Sequence, residues 1–359
     1  MPFDAPKIKI LIVDDSAVIR RLLSTAISQQ EDMEVMGTAA NGLLGVEFIK
    51  STPPDLVLLD IEMPVMDGIE TLKAVRQFNS QIPIIVFSSL TQKGASTTID
   101  ALTSGASDYV PKPTNTQDLD QAFKAIEEQL LPKIRNLHTR KQGKGAVKAP
   151  AVNASSTLVT NLHSGTTDKV EALCIGVSTG GPAALMQLFA EWERPLSVPI
   201  FIVQHMPPKF TEFLAARLTE IGCMLVEEPY EGQTAMAGRV YLAPGGMHME
   251  LLKEGPQVVM HLHDGPLENS CRPAVDVLFR SAAKVYVSSL LALVLTGMGS
   301  DGLKGAQEIH QAGGTIITQD EESSVVWGMP GAVTKANLAH AVVPLNALAA
   351  EIERLTCKT

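Results

Sequence analysis

Three side chains that could form a catalytic triad follow apolar stretches in the second half of the chain. Ser178 lies in Gly176-Val-Ser-Thr-Gly-Gly181, and Gly-x-Ser-x-Gly is the spacing of a nucleophile elbow. His205 ends a second apolar run, and Asp301 lies in a glycine-rich turn after a third. A serine activated by a histidine that a carboxylate orients is a nucleophile for acyl transfer. The three residues therefore predict a serine hydrolase, with exposed backbone N–H groups at 297–299 suited to an oxyanion hole.

Other interpretations of these motifs remain open at this point. The turn around Ser178 could be a tight corner with a capping serine, or a phosphate cradle, although it lacks the Gly-Lys-Ser/Thr ending of a P-loop. Asp301 could simply cap a helix. The chain order Ser, His, Asp differs from the Ser, Asp, His order of α/β-hydrolases, which disfavours that fold. His261 and His263, with Cys271 nearby, could chelate a metal, but no fourth ligand has suitable spacing.

A second set of polar residues ends the apolar runs of the first half. Asp14 and Asp15 follow the first run, and Asp60 ends the run at 56–59. Carboxylates that converge at one sheet edge repel one another unless a cation lies between them, and Mg²⁺ prefers such oxygen ligands. Ser88 adds a hydroxyl and Lys112 an ammonium group. The set predicts phosphoryl transfer onto Asp60 with Mg²⁺ as charge neutraliser, although Asp14 and Asp15 could also cap a helix.

The elements that must position these residues alternate between strand-like and helix-like patterns. Short runs rich in Ile, Val and Leu are separated by segments of helical periodicity, which is the pattern of parallel sheets covered by helices. A stretch of small and polar residues divides the two halves and is typical of a flexible linker. We therefore predict two doubly wound α/β domains, at residues 7–130 and 169–359, joined by a linker at 131–168.

Composition narrows the function classes. The net charge of −10 argues against a nucleic-acid-binding surface. No apolar run approaches the ~20 residues of a membrane span, and the first residues lack the pattern of a signal peptide. The 4 cysteines are scattered, as in a reducing compartment. These features predict a cytoplasmic protein without membrane insertion.

Residues 7–130 resemble the receiver domain of bacterial two-component response regulators, a flavodoxin-like fold. The resemblance rests on Asp14-Asp15, on Leu59-Asp-Ile-Glu-Met-Pro-Val-Met-Asp-Gly68 and on Lys112-Pro113. It implies that Asp60 accepts phosphate from a sensor histidine kinase. It also implies Mg²⁺ ligands at Asp14, Asp15 and Asp60, a phosphate partner at Lys112, a switch hydroxyl at Ser88 and a switch aromatic at Tyr109.

The second half is similar to the chemotaxis protein-glutamate methylesterase family. The motifs that carry this resemblance are Ile175-Gly-Val-Ser-Thr-Gly-Gly181, Gln204-His-Met-Pro-Pro208, Ala243-Pro-Gly-Gly246, Val275-Asp-Val-Leu-Phe279 and Leu295-Thr-Gly-Met-Gly-Ser-Asp-Gly302. The resemblance implies a Rossmann-like parallel-sheet hydrolase with Ser178 as nucleophile, His205 as base and Asp301 as its orienting group. It adds the Met298 amide as oxyanion donor and Thr179 as a residue that shapes the site. One departure is Cys271, where the family often has a histidine before Arg-Pro.

Together the two resemblances imply an enzyme that phosphorylation activates. Its expected substrates are glutamyl γ-methyl esters, and glutamines to be deamidated, on the cytoplasmic helices of methylated chemoreceptors. The esterase chemistry would need no cofactor. Alternatives are a phosphorylation-dependent adaptor with an inert esterase site, a methylesterase of a related non-chemotaxis circuit, or a nucleotide-binding output domain. The sequence identifies neither the receptors nor the kinase, and it leaves the degree of activation and the oligomeric state open.

Overall fold

The computed structural model describes residues 6–113, 119–143 and 169–357, with side chains described at all of these except 119–120 and 139–143. The chain divides into two compact units, Met1–Pro150 and Ala151–Thr359. Across the described ranges, no helix combines the length and the apolar character that crossing a membrane requires.

The first unit is built on a five-stranded parallel sheet with strand order β2-β1-β3-β4-β5. This is the flavodoxin-like order, in which ligands bind outside the carboxyl ends of the strands. Strands β3 and β4 are buried along their whole length, as their unbroken apolar runs predict. The elements are β1 Ile8–Val13, α1 Ala17–Ser28, β2 Met33–Ala39, α2 Gly42–Ser51, β3 Leu56–Asp60, α3 Gly68–Phe78, β4 Ile84–Ser88, α4 Gln92–Thr103, β5 Asp108–Pro111, α5 Leu119–Ala125 and α6 Leu131–Gly143.

Helix α6 extends the first unit past the predicted domain boundary at residue 130. A π-helical turn, Ile126–Leu130, joins α5 directly to α6. Leu131, Ile134 and Leu137 are buried along α6. The first part of the predicted linker is therefore helical, because these apolar residues recur every three positions and are covered by the rest of the unit. Residues 144–168 of the predicted linker lie outside the described residues.

The second unit is a seven-stranded parallel sheet with order β14-β13-β12-β6-β7-β9-β8, plus a separate antiparallel hairpin of β10 and β11. The parallel sheet confirms the predicted class of fold, and the hairpin is an addition to it. The strands are β6 Ala172–Val177, β7 Ile200–Gln204, β8 Leu225–Glu227, β9 Arg239–Leu242, β10 His248–Glu254, β11 Gln257–His263, β12 Leu290–Val294, β13 Thr315–Gln319 and β14 Ala341–Val343. The helices are α7 Gly181–Glu191, α8 Phe210–Ile221, α9 Val275–Tyr286, α10 Leu303–Gln311, α11 Met329–Lys335 and α12 Leu345–Thr356.

The central strands of this sheet bring three loops to one edge. β6 lies between β7 and β12, and its register pairs Val177 with Gln204 and Gly176 with Val294. The carboxyl ends of these parallel strands therefore lie side by side. The loops that follow β6, β7 and β12 carry Ser178, His205 and Asp301.

Candidate active site

Ser178, His205 and Asp301 form one hydrogen-bonded chain. Ser178 Oγ lies 3.1 Å from His205 Nδ1, and His205 Nε2 lies 2.7 Å from Asp301 Oδ2. A neutral imidazole that donates its Nε2 proton to the carboxylate leaves Nδ1 free to accept the serine proton. The arrangement has the geometry of a nucleophile, a base and an orienting group.

The backbone around Ser178 is a sharp strand-to-helix turn. The Ser178 N–H donates to the carbonyl of Thr296 at 3.0 Å, which ties the turn to the neighbouring loop. Gly180 has φ +74°, a left-handed conformation that favours glycine. A Cβ on Gly297 would lie 2.9 Å from Ser178 Cβ, so that loop reaches the nucleophile only because it has no side chain there. These glycines present the serine at the sheet edge.

Gln204 links the loop that carries Ser178 to the loop that carries His205, a role that the sequence did not predict. Its Nε2 donates to the carbonyl of Ser178 at 3.0 Å and to that of His205 at 3.2 Å. The side chain is only 1% exposed. The available signal was a polar residue ending an otherwise apolar strand, inside the Gln-His-Met-Pro-Pro motif.

The Asp301 carboxylate is 3% exposed and accepts five hydrogen bonds. Burial alone would raise its pKa, but the hydrogen bond and charge of His205, together with backbone N–H donors, lower the pKa below its usual value. Asp301 is therefore the ionised partner of the imidazole. Its donors are His205 Nε2 (2.7 Å) and Val275 N (2.7 Å) to Oδ2, and Asn269 Nδ2 (2.7 Å), Gly302 N (2.9 Å) and Asp276 N (3.0 Å) to Oδ1.

Cys271, the departure noted in the sequence, contacts the catalytic imidazole. Its Sγ lies 3.5 Å from His205 Nδ1, the same nitrogen that faces Ser178. Burial of the imidazole opposes its protonation, but the Asp301 hydrogen bond and the Cys271 sulfur outweigh burial and raise the pKa of His205 to about 9. The resting imidazole therefore holds a proton more tightly than a free histidine does.

The predicted oxyanion donor and its neighbour lie in the same loops. Among the described residues, the Met298 N–H has no hydrogen-bond acceptor. It follows Gly297, whose backbone comes so close to Ser178 that a Cβ there would lie 2.9 Å from Ser178 Cβ, so Met298 belongs to the loop beside Ser178. Thr179 is 3% exposed, and its carbonyl accepts a hydrogen bond from Thr296 Oγ1 at 2.9 Å. This hydrogen bond ties the turn at Ser178 to the loop that follows β12.

The histidine pair on β11 does not form a metal cluster with Cys271. His261 Nδ1 is 2.8 Å from Glu231, and His263 Nε2 is 3.6 Å from Glu250. Three or more His, Cys, Asp or Glu side chains could hold a metal ion if their ligand atoms lie within 4.8 Å of one another. Within residues 6–113, 119–143 and 169–357, one group meets this condition, and it is in the first unit. The metal interpretation of His261 and His263 is not favoured.

That group is the acidic pocket formed by Asp14, Asp15 and Asp60. Lys112 Nζ lies 2.8 Å from Asp60 Oδ2 and 3.0 Å from Asp14 Oδ2. Burial raises the pKa of Asp60 to about 6 and also raises the pKa of Asp14, in both cases against the opposing effect of Lys112. One lysine does not balance the negative charge of these carboxylates, so the pocket fits a divalent cation. Carboxylate oxygens are ligands that Mg²⁺ prefers.

The two predicted switch residues lie on the strands next to this pocket. Ser88 ends β4, is 2% exposed and donates from Oγ to the carbonyl of Gly94 at 3.1 Å. Tyr109 on β5 is 5% exposed, and burial raises the pKa of its hydroxyl well above the usual value. Lys133 of α6 donates to the Tyr109 carbonyl at 2.9 Å, and its Nζ lies 5.3 Å from the ring centroid. The Tyr109 side chain is therefore buried, and Lys133 of α6 contacts both its ring and its backbone carbonyl.

Comparison with known proteins gives two family matches and close full-length relatives. Residues 173–352 match the CheB methylesterase family, and residues 10–124 match the response regulator receiver domain. The protein-glutamate methylesterase/protein-glutamine glutaminase of Trichodesmium erythraeum is 47% identical over 97% of this chain and 99% of its own length. The enzyme of the same name from a Nocardioides species is also 47% identical, over 97% of this chain and 95% of its own. The catalytic domain of Thermotoga maritima CheB methylesterase superposes with a TM-score of 0.51 at 38% identity, covering 52% of this chain and all of that domain.

Proposed function

This chain belongs to the protein-glutamate methylesterase/protein-glutamine glutaminase family, and from that membership we propose that Ser178, His205 and Asp301 carry out its hydrolysis. The enzyme combines a methylesterase domain with a response regulator receiver domain. The observation that carries the assignment is the continuous chain from Ser178 Oγ through the His205 ring to Asp301. We place the receiver domain at 7–130 and the methylesterase domain at 169–359, and α6 is a helical extension that follows the receiver domain within the first unit.

The first half-reaction forms an acyl-enzyme. Ser178 Oγ attacks the γ-carbonyl carbon of a glutamyl methyl ester while its proton passes to His205 Nδ1. The negative charge on the carbonyl oxygen is stabilised by the Met298 N–H. Asp301 stabilises the imidazolium that forms. Nδ1 then returns the proton to the departing methoxide, so that the C–O bond breaks and methanol leaves.

The second half-reaction regenerates the serine. His205 Nδ1 takes a proton from water, and the oxygen of that water attacks the acyl carbon. The proton returns to Ser178 Oγ as the ester bond to the serine breaks, which releases a glutamate side chain. A glutamine follows the same route with ammonia as leaving group, which accounts for both activities in the family name.

The receiver domain would control this reaction through Asp60. A divalent ion held by Asp14, Asp15 and Asp60 would neutralise charge during phosphoryl transfer to the Asp60 carboxylate. Lys112 contacts the same carboxylate and is placed to pair with the phosphate. Ser88 and Tyr109 lie on the next two strands and would respond to the phosphate as switch residues.

The partners follow from the chemistry of the two domains. A sensor histidine kinase would supply the phosphate, and methylated chemoreceptors would supply the glutamyl esters. Both reactions place the enzyme in the cytoplasm. A complete, hydrogen-bonded triad disfavours the adaptor alternative, because an inert site has no need of an oriented base.

The test compares methanol release from methylated receptor by the wild-type protein and by Ser178→Ala. We expect release to fall by at least ~10³-fold without the nucleophile, and a fluorophosphonate to label the wild type alone. Ser197→Ala is the matched control, since Ser197 is exposed and its side chain has no hydrogen bond among the described residues. Equal release from wild type and Ser178→Ala would refute the triad assignment.

A further inference from the structure

A four-residue turn before α9 contacts two members of the triad at once. The Cys271 N–H donates to the Glu268 carbonyl at 2.9 Å, and Asn269 and Ser270 between them have φ of +51° and +62°. This is the geometry of a type I′ turn, in which asparagine is a favoured residue. The turn directs Cys271 to His205 on one side and the Asn269 amide to Asp301 on the other.

The turn is held rigidly on α9. The Arg280 guanidinium pairs with both carboxylate oxygens of Glu268 at 2.6 Å each. Such two-point pairs fix geometry as well as charge. The position of the Asn269 side chain is thereby set by the fold and does not depend on a bound substrate.

The Asn269 amide bridges two buried carboxylates. Its Nδ2 lies 2.7 Å from Asp301 Oδ1 and 2.9 Å from Asp276 Oδ2, while the residue as a whole is exposed. Asp301 and Asp276 are 3% and 1% exposed, and burial and the Asp301 charge raise the pKa of Asp276. Since carboxylate oxygens accept, the NH₂ group must face both. One neutral donor therefore separates two acids that would otherwise repel each other.

We propose that Asn269 is a positioning residue for hydrolysis, which acts by keeping the Asp301 carboxylate ionised and aimed at His205 Nε2. This inference rests on the proposed function of the triad. The titratable and charged groups around Asn269 and Asp301 are Asp276 and Arg280 on α9, Glu268 in the turn, Lys304 on α10 and the Cys271 thiol. Arg280 pairs with Glu268, and in the part of the chain that the structure describes Asn269 and His205 are the two side chains that hydrogen-bond to Asp301.

Two variants test the proposal by the pH dependence of methanol release. Asn269→Gly keeps the positive φ and removes the amide, and we expect kcat to fall roughly 10- to 100-fold, the rate equivalent of one hydrogen bond to a charged group, with KM unchanged. Without this donor the Asp301 carboxylate has one partner fewer and accepts more strongly from the protonated imidazole, so the acidic limb of the profile moves to higher pH. Asn269→Asp, ionised at the pH of that limb, moves it further in the same direction.

Ser270→Gly is the matched control in the same turn. Ser270 also has a positive φ, and its side chain has no hydrogen bond among the described residues. We expect its profile to match the wild type. Thermal unfolding of each variant identifies those that fail to fold.

The outcomes separate the proposal from its rivals. A lower kcat with the acidic limb unmoved in both Asn269 variants would give Asn269 a purely structural role and overturn the proposal. A change confined to KM would mean that Asn269 contacts substrate and would equally overturn it. An NMR titration of the His205 imidazole measures the same shift without turnover, so it tests Asn269 even if the wild type releases no methanol and the proposed function fails.

Discussion

At the scale of single residues, His205 Nδ1 lies against two side chains of the site. It faces Ser178 Oγ at 3.1 Å and Cys271 Sγ at 3.5 Å, while the other ring nitrogen is held by Asp301. A general base must be neutral to accept the serine proton. The groups that orient this imidazole also stabilise its protonated form, and they raise its pKa to about 9. The orientation of the base therefore reduces the fraction of enzyme that is active at neutral pH.

We predict that kcat/KM for methanol release rises with pH, by about tenfold per pH unit, until a single ionisation near pH 9. Below that pKa the imidazolium cannot accept the Ser178 proton. Cys271→Ala removes one of the groups that raise the pKa and should move the ionisation to lower pH. A profile measured from pH 6 to 10 on both proteins checks this, and a wild-type plateau already reached at pH 7 would contradict it.

The sequence predicted which three side chains would lie together better than it predicted the residues that hold them in place. Ser178, His205 and Asp301 each follow a strand-like run, so the rule that parallel strands end at one edge was enough to bring them together. The sequence did not predict the contacts of Gln204 and Asn269, because these include side-chain hydrogen bonds to residues 26 and 32 positions away in the chain. Neither the side-chain rotamer nor the turn type that makes those bonds can be read from residue spacing.

At the scale of elements, α6 ties the end of the first unit to its last strand. Lys133 pairs with the Asp108 carboxylate at 2.7 Å and donates to the Tyr109 carbonyl at 2.9 Å. Asp108 is 2% exposed, and Lys133 is the ion-pair partner of this buried carboxylate. Arg135 adds an ion pair of 2.7 Å to Asp32. The linker predicted from residue 131 therefore begins as a packed helix. Its polar residues form ion pairs with the rest of the unit, and its apolar residues form one buried stripe.

We predict that Lys133→Met lowers the free energy of unfolding of the first unit by about 2–4 kcal/mol, because it leaves a buried carboxylate without its partner. Lys124→Met is the control, since that lysine is 74% exposed and 3.9 Å from Glu128, and we expect a change of less than about 0.5 kcal/mol. Both tryptophans, Trp192 and Trp327, lie in the second unit. Urea unfolding followed by circular dichroism should therefore shift while tryptophan fluorescence does not, and equal effects of the two substitutions would contradict the prediction.

At the scale of the whole molecule, each unit carries its chemistry at the carboxyl edge of its own parallel sheet. The acidic pocket follows β1 and β3, and the triad follows β6, β7 and β12. The sequence predicted both sheets, since short unbroken apolar runs alternating with helices identify buried parallel strands. It missed the β10–β11 hairpin, because strands of an antiparallel pair with one exposed face interleave polar residues and give no long apolar run.

Separate sites in separate units predict that phosphorylation and hydrolysis can be uncoupled. We expect a small-molecule phosphodonor with Mg²⁺ to increase methanol release by the wild type, and Asp60→Asn to abolish that increase while it keeps the basal rate, because the triad contains no residue of the acidic pocket. EDTA should have the same effect as Asp60→Asn, since the ligands at Asp14 and Asp15 serve phosphoryl transfer alone.

Asp55→Asn is the control for the carboxylate substitution and should remain responsive to the phosphodonor. Asp55 lies outside the pocket, and its carboxylate accepts a hydrogen bond from the Lys9 N–H. Loss of basal methanol release in EDTA would mean that the esterase site itself needs a metal ion, and a full response of Asp60→Asn would place the phosphorylated residue elsewhere.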